Sequence, residues 1–212
     1  MLEEALPDWR AKRRAAASAD ILEAAWELAR ENGLAGLSLR DLGRKLGMAA
    51  PSLYSYFDSK HALYDAMFAD AWREVLAFEP AQPAPDLRAA LRASIGRYMR
   101  FSLADPVRYQ LMAQRPIPGF EPSRESYAVS QQAYAESFEV FESLVALEQE
   151  DRDLITAVTT GLINQQISND PGGDRWVRLL DDAVDMLVYR ITENHKRRKA
   201  PARSRRTKKG DK

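Results

Sequence analysis

Apolar residues recur at helical spacing along nearly the whole chain. In residues 20–32, DILEAAWELAREN, Ile21, Leu22, Ala25, Leu28 and Ala29 share one face, and Gly33 follows as a stop. Ser38 reads as an N-cap, with Asp41 three residues on as a short-armed capping box. Residues 39–46, LRDLGRKL, set Leu39, Leu42 and Leu46 on one side, and Gly47 ends them as a left-handed C-cap. Pro51 suits the first turn of a short helix that the pattern ends near Phe57. Asp58 and Ser59 can then cap a longer helix, Lys60 to about Phe78, through Leu63, Met67, Ala71, Trp72 and Val75.

Beyond it, PAQPAPD at 80–86 carries three prolines and breaks the pattern. Helices are predicted over 87–103, over VRYQLMAQ after Asp105-Pro106, and over 124–147, 151–168 and 174–194, with a loop at 115–123. Period-two alternation is absent, as are Asn-Gly or Asp-Gly turns between apolar runs. The expected fold class is all-α, with about nine helices.

Composition narrows the function. The 212 residues contain no cysteine, which removes disulfides, thiolate nucleophiles and thiolate metal clusters. His61 and His195 are the only histidines, and neither has metal-ligand spacing. No Gly-rich phosphate loop or catalytic constellation is present, so an enzyme is not expected, nor is a cofactor. No apolar run approaches a bilayer span, and the acidic start MLEEALPDWR lacks the apolar centre of a signal peptide. A cytoplasmic protein without membrane contact is therefore expected.

The formal charge is zero but unevenly placed. Residues 195–212 hold ten Lys/Arg and one Asp, leaving 21 basic against 30 acidic residues in the first 194. A second basic cluster, Arg10, Lys12, Arg13 and Arg14, lies near the N-terminus. An acidic body with two basic ends meets polyanions locally. The terminal segment 195–212 reads as disordered, either a salt-sensitive DNA attractor or a solubilising tail.

The order helix, short helix, tight turn, short helix over the first sixty residues matches a helix-turn-helix, in which one helix enters a major groove about 12 Å wide and another holds it there. The stretch LSLRDLGRKLGMAAPSLYSYFDSKHALYDAM, residues 37–67, resembles the DNA-binding signature of the tetracycline-repressor (TetR) family of bacterial transcription regulators. Leu22-Glu23-Ala24-Ala25, Gly33, Leu42, Leu46-Gly47, Leu53 to Phe57, Lys60 and Leu63 carry the resemblance. The rest of the chain is similar in helical layout alone.

The resemblance implies a DNA-binding domain at 1–62 and a helical ligand-binding and dimerisation domain at 63–194. It implies that Ser38 and Arg40 meet phosphate or a base edge, that Ala50, Pro51, Ser52, Ser55 and Tyr56 face the groove, and that Tyr54 and Lys60 hold phosphates. Either tyrosine could instead be an amphipathic core residue with its hydroxyl at the surface. Leu53 and Phe57, one helical turn apart, are expected in the core.

The implied partners are a palindromic double-stranded operator, a small-molecule effector and a second copy of the chain. Effector candidates are Trp72, Tyr98, Phe101, Tyr109, Met112 and Phe138, together with Thr160, Asn164 and Gln165. The last three are polar groups in an apolar stretch that could face a ligand or a dimer mate. Candidates for the dimer interface are Leu162, Trp176, Leu180, Val184, Leu187, Val188 and Ile191, on a stripe wider than one partner needs. The leading reading is a ligand-responsive regulator, a repressor released from DNA by its effector, with the sign of the response open. The alternative is a helical DNA-binding architectural or interaction protein without small-molecule control.

Overall fold

The computed structural model describes residues 8–78 and 83–199, and all regular structure among them is helical. The order is α1 (Asp8–Gly36), α2 (Leu39–Leu46), α3 (Ala50–Tyr54), α4 (Lys60–Ala77), α5 (Leu87–Ala104), α6 (Pro106–Ala113), α7 (Arg124–Glu142), α8 (Gln149–Asn169) and α9 (Leu180–Lys199). A 3-10 turn, Val177–Leu179, precedes α9. No helix among the described residues is long and apolar enough to cross a membrane.

The local signals act as their chemistry requires. Gly33 breaks the helical path of α1 with φ 73° and ψ 160°. The Ser38 hydroxyl accepts from Asp41 N–H at 3.1 Å and donates to the Asp41 carboxylate at 2.8 Å. Gly47 is left-handed, φ 64° and ψ 24°, and Met48 N–H closes on Gly43 O at 2.9 Å. The Ser59 hydroxyl caps α4 by accepting from Ala62 N–H at 3.0 Å.

Six boundaries differ from the sequence expectation. Helix α1 starts at Asp8, twelve residues before the apolar stripe, because DWRAKRRAAASA consists largely of strong helix formers whose solvent-facing turns show no stripe. Helix α3 ends at Tyr54 rather than near Phe57, since Tyr56 and Phe57 N–H both turn back to Leu53 O. Helix α7 ends at Glu142, short of 147, and a capping box between Glu148 and Asp151 opens α8 two residues early. Helix α9 begins at Leu180, not 174, because the buried Gln166 side chain accepts from Trp176 and Val177 N–H at 2.9 and 3.2 Å and shapes a turn there. Its helix continues to Lys199, so the first five residues of the expected tail are helical. Residues 200–212 of the expected tail, 79–82 at the start of the expected proline break and 1–7 lie outside the described residues.

The chain packs as two compact units, with the division falling inside α5 and α7. In the first (within 1–81 and 97–137), one core joins Ile21, Ala25, Trp26, Leu42, Leu53, Phe57, Leu63 and Met67 to Leu111 and Phe120. The Asp65 carboxylate of α4 caps the start of α7, accepting from Ser123 N–H at 2.6 Å, Ser123 Oγ at 2.9 Å and Ser126 Oγ at 2.8 Å. In the second (within 82–96 and 138–212), Leu91, Ile155, Ile163, Val184, Leu187 and Ile191 are enclosed, while Arg88–Asp185 and Arg92–Asp181 pair at the surface.

A Cβ at Gly47 would meet nothing within 4 Å, so the cost of a substitution there is conformational alone. Gly47→Ala is expected to lower the unfolding free energy by about 1 kcal/mol, and Gly47→Asn by less, because Asn tolerates the left-handed region. Urea titration of the two variants checks the order.

Candidate functional site

Three short pieces of the first unit build an exposed polar face. Leu53 is wholly enclosed and Phe57 nearly so, and both pack into the core with α1 and α2 residues. With these two side chains inward, Pro51, Ser52, Tyr54 and Ser55 are exposed. Arg40, on the first turn of α2, is exposed as well. Ala50 is the first residue of α3. The two tyrosines divide. Tyr54 is 51% exposed, whereas Tyr56 is partly buried against the core edge.

Arg14 is the residue that the sequence reading missed as an individual member of this face. Its guanidinium donates to Ser55 O at 2.7 Å and lies 5.5 Å from the Tyr56 ring centroid. The N-terminal turns of α1 therefore grip the turn after α3, with a cation against an aromatic face. The basic cluster was visible in sequence; the early start of α1, which carries Arg14 there, was not.

Other candidates are occupied differently from expectation. The Ser38 hydroxyl is spent within its cap, although the residue is half exposed. Lys60 donates from Nζ to Ala35 O at 3.1 Å and lies 5.4 Å from the Tyr64 ring, tying down the end of α1. Tyr64 does the same from the interior, donating to Leu34 O at 2.5 Å. Arg44 is paired with Asp41, and Lys45 with Glu27 and Glu31. Those two glutamates, Glu27 foremost, raise the Lys45 pKa above its usual value. Arg14 and Arg40 thus stand out from the paired cations of α2.

Behind this face lies a charged junction of α1, α4 and α6. Trp26 Nε1 donates to Asp70 at 2.9 Å, and the Arg108 guanidinium sits 4.7 Å from the Trp26 ring centroid. Arg108 pairs with Glu74, and Arg30 with Asp105 at 2.7 Å. Burial lowers the Arg108 pKa, partly opposed by the nearby Asp70 carboxylate.

The effector candidates fall in both units. In the first, Trp72 and Tyr98 stack at 6.4 Å and 12°, and Tyr98 meets Tyr109 edge-on at 6.4 Å. Phe68 meets Trp72 edge-on at 6.3 Å. Phe101 instead pairs with Phe78 at 5.5 Å, and Met112 is buried in the core. In the second unit Phe138 packs edge-on against Phe141 at 5.5 Å, with the Arg152 guanidinium 5.4 Å from its ring centroid.

The polar set in α8 lies toward the surface of the single chain, one helical step from the enclosed polar residues. Gln165 is exposed and accepts from Asn169, and the Thr160 hydroxyl donates to Thr156 O of its own helix. Asn164 is half-buried. Between 156 and 168 the enclosed polar residues are Thr159 and Gln166, and both are satisfied, by Ile155 O and by the turn before α9. At roughly 100° per residue, neighbours in sequence fall on different faces, so an apolar stretch alone does not fix which amide points inward.

The dimer candidates also divide. Val184, Leu187 and Ile191 are fully enclosed within the single chain, so they belong to its own core and cannot form a surface for a partner. Leu162, Trp176, Leu180 and Val188 are half exposed. The apolar side chains left outward are Met186 at 57% and Tyr189 at 71% on α9, with Leu154 and Ala157 exposed on α8. No group of metal-ligating side chains occurs among the described residues.

Residues 21–67 match the family model of the bacterial regulatory proteins of the tetR family. An HTH-type transcriptional regulator of Mycobacterium bovis is 31% identical over 96 residues, 42% of this chain and 40% of that protein. The chain thus spans well under half the length of that relative. The class D tetracycline repressor protein of Escherichia coli is 45% identical over 47 residues, 22% of each chain. Among solved structures, the transcriptional regulator FadR of Bacillus subtilis, in complex with stearoyl-CoA, superposes with a TM-score of 0.60 at 16% identity, over 79% of this chain and 96% of that one. At that identity the likeness is one of fold.

Arg108→Ala is expected to lower stability by roughly 2–3 kcal/mol, because it strips a buried cation from Glu74 and from the Trp26 face. Arg108→Lys should recover only part, since an ammonium lacks the planar fork that stacks. Chemical denaturation of the three proteins reads the order.

Proposed function

We propose that this chain, which belongs to the tetR family of bacterial regulatory proteins through its residues 21–67, is a homodimeric, sequence-specific transcriptional repressor that a small molecule releases from its operator. The observation that carries the reading is the exposed face of Arg40, Pro51, Ser52, Tyr54 and Ser55, held rigid from behind by Leu53 and Phe57. A helix of this size can enter a major groove and cannot hold itself there, so the buttress is part of the reader.

In this reading Ser52 and Ser55 read base edges, and Pro51 supplies apolar contact with thymine methyls. Tyr54, Arg40 and Lys60 take phosphates, which place the protein without specifying sequence. Lys60 would exchange its bond to Ala35 O for a phosphate oxygen. Ala50 and Ser38 complete the edge of the contact. Two such faces must fall on successive major grooves, about 34–36 Å apart, which requires a dimer and a palindromic site. The outward side chains Met186 and Tyr189, with Leu154, Leu162 and Val188, supply the apolar surface for a second copy.

Effector control would act through the junction of Trp26, Asp70 and Arg108. An effector against Trp72, Tyr98 and Tyr109 biases one of two arrangements of α4 and α6, and DNA accepts only one of them. The stearoyl-CoA complex of FadR supports a small-molecule site in a protein of this fold.

Selection of bound fragments from a random DNA pool is expected to enrich a palindrome of two half-sites. Failure to enrich any sequence sinks the proposal. On the selected site, Tyr54→Phe should weaken operator and random DNA alike by about three- to tenfold, the worth of one hydrogen bond. Ser52→Ala should weaken the operator more than random DNA, since base contacts specify the site. Sedimentation of Tyr189→Glu combined with Met186→Lys should show a shift from dimer to monomer, and an unchanged dimer moves the interface elsewhere.

A further inference from the structure

The aromatic cluster of the first unit carries a polar feature that its packing does not use. The Trp72 indole Nε1 is buried and has no hydrogen-bond partner. An indole N–H can only donate. Leaving such a donor enclosed and unpaired is costly, and native interiors rarely do it without a water, an ion or a ligand to receive the bond. One helical turn beyond the stacked ring of Tyr98, on the same helix α5, Ser102 Oγ is wholly enclosed and makes no hydrogen bond of ordinary geometry either.

The surroundings say what kind of group fits. Trp72 and Tyr98 are nearly parallel, and Phe68 and Tyr109 present edges to them. Flat faces with edges around them favour a planar aromatic guest. Burial raises the Tyr98 hydroxyl well above its usual value, opposed weakly by Ser102, and pushes Tyr109 up to about 12. Both phenols therefore keep their protons near neutral pH.

The cations that flank these tyrosines in sequence are already committed. Arg97 donates to Val75 O at 3.4 Å and Phe78 O at 3.0 Å, and Arg108 pairs with Glu74 over the Trp26 ring. A carboxylate brought into this cluster would lose its hydration, and would gain a counter-ion only by drawing Arg97 from its two carbonyls.

We propose that the effector is a neutral, planar aromatic molecule bearing a carbonyl-type acceptor, seated against Trp72, Tyr98 and Tyr109 with that acceptor on the Trp72 indole N–H. The inference rests on the reading of the chain as an effector-controlled regulator, and it commits that reading to one class of molecule.

Three probes of one shape separate the terms. Benzophenone has two rings and a carbonyl, diphenylmethane has the rings alone, and 4-benzoylbenzoate adds a charge. Binding to the full chain is measured by titration calorimetry, with thermal midpoints as a second readout. Benzophenone is expected to bind at least about tenfold tighter than diphenylmethane, because only it receives the buried N–H. It should also bind at least about tenfold tighter than 4-benzoylbenzoate.

In Trp72→Phe the preference for benzophenone over diphenylmethane should fall to near unity. That ratio is taken within one protein, so any change in stability cancels. Equal binding of the two neutral probes to the unsubstituted chain overturns the proposal. So does tighter binding of the anion, a preference that survives Trp72→Phe, or no binding by any probe. Operator selection without probes tests the regulator reading separately. An enriched palindrome with no probe binding rejects the effector class alone, and probe binding with the expected ratios but no enriched site rejects the regulator alone.

Discussion

A helix of five residues has no stability of its own, and α3 is such a helix. Its shape comes from Leu53 and Phe57, which reach into a core built by α1, α2 and α4. Everything on its outer face inherits its position from that burial. Arg14 adds a second hold from the side, fastening the turn after α3 to the first turns of α1. The polar face is thus placed by apolar contacts behind it and by one cation beside it. Few of its own hydrogen bonds hold it, and those, such as Ser55 Oγ to Ser52 O at 2.7 Å, are local.

The second constraint is the buried guanidinium of Arg108. A cation this enclosed needs a partner on each side, and it has Glu74 of α4 and the Trp26 face of α1. Trp26 in turn donates to Asp70 of α4, and Arg30 of α1 reaches Asp105 at the cap of α6. Three helices therefore share one set of charges. Polar interactions of this kind are directional, so α1, α4 and α6 are held to one another by bond geometry as well as by burial. Tyr109, the next residue on α6, faces Tyr98 of the aromatic cluster. Adjacent residues of one short helix thus address α1 and α4 on one side and the aromatic cluster on the other.

Much of this was legible in the sequence, for reasons that differ by residue. Ser38, Gly47 and Ser59 act locally, through their own backbone or the next turn, and each did what its position predicted. Leu53 and Phe57 followed from helical spacing. The start of α1 was hidden because exposed turns of Ala, Arg and Lys show no apolar stripe. That Gln166 rather than Gln165 is the enclosed amide was hidden because a single step along a helix turns the side chain by roughly 100°. Val184, Leu187 and Ile191 formed a convincing interface stripe, but a stripe does not tell which apolar surface it meets, and the chain's own interior claims it. Arg14, Arg108 and the Trp72 donor depend on residues distant in sequence, where periodicity carries no information.

The shared charges bear on how such a protein can be taken apart. A helix-turn-helix followed by a helical bundle invites modular exchange, one reader joined to another sensor at a seam near residue 62. Here that seam cuts through Trp26–Asp70, Arg30–Asp105 and the stacking of Arg108 on Trp26. A chimera drawn at that line would inherit a buried cation from one parent and lack its aromatic platform from the other. An exchangeable cassette would therefore have to be larger than α1 to α3 and carry the charge pattern of three helices with it.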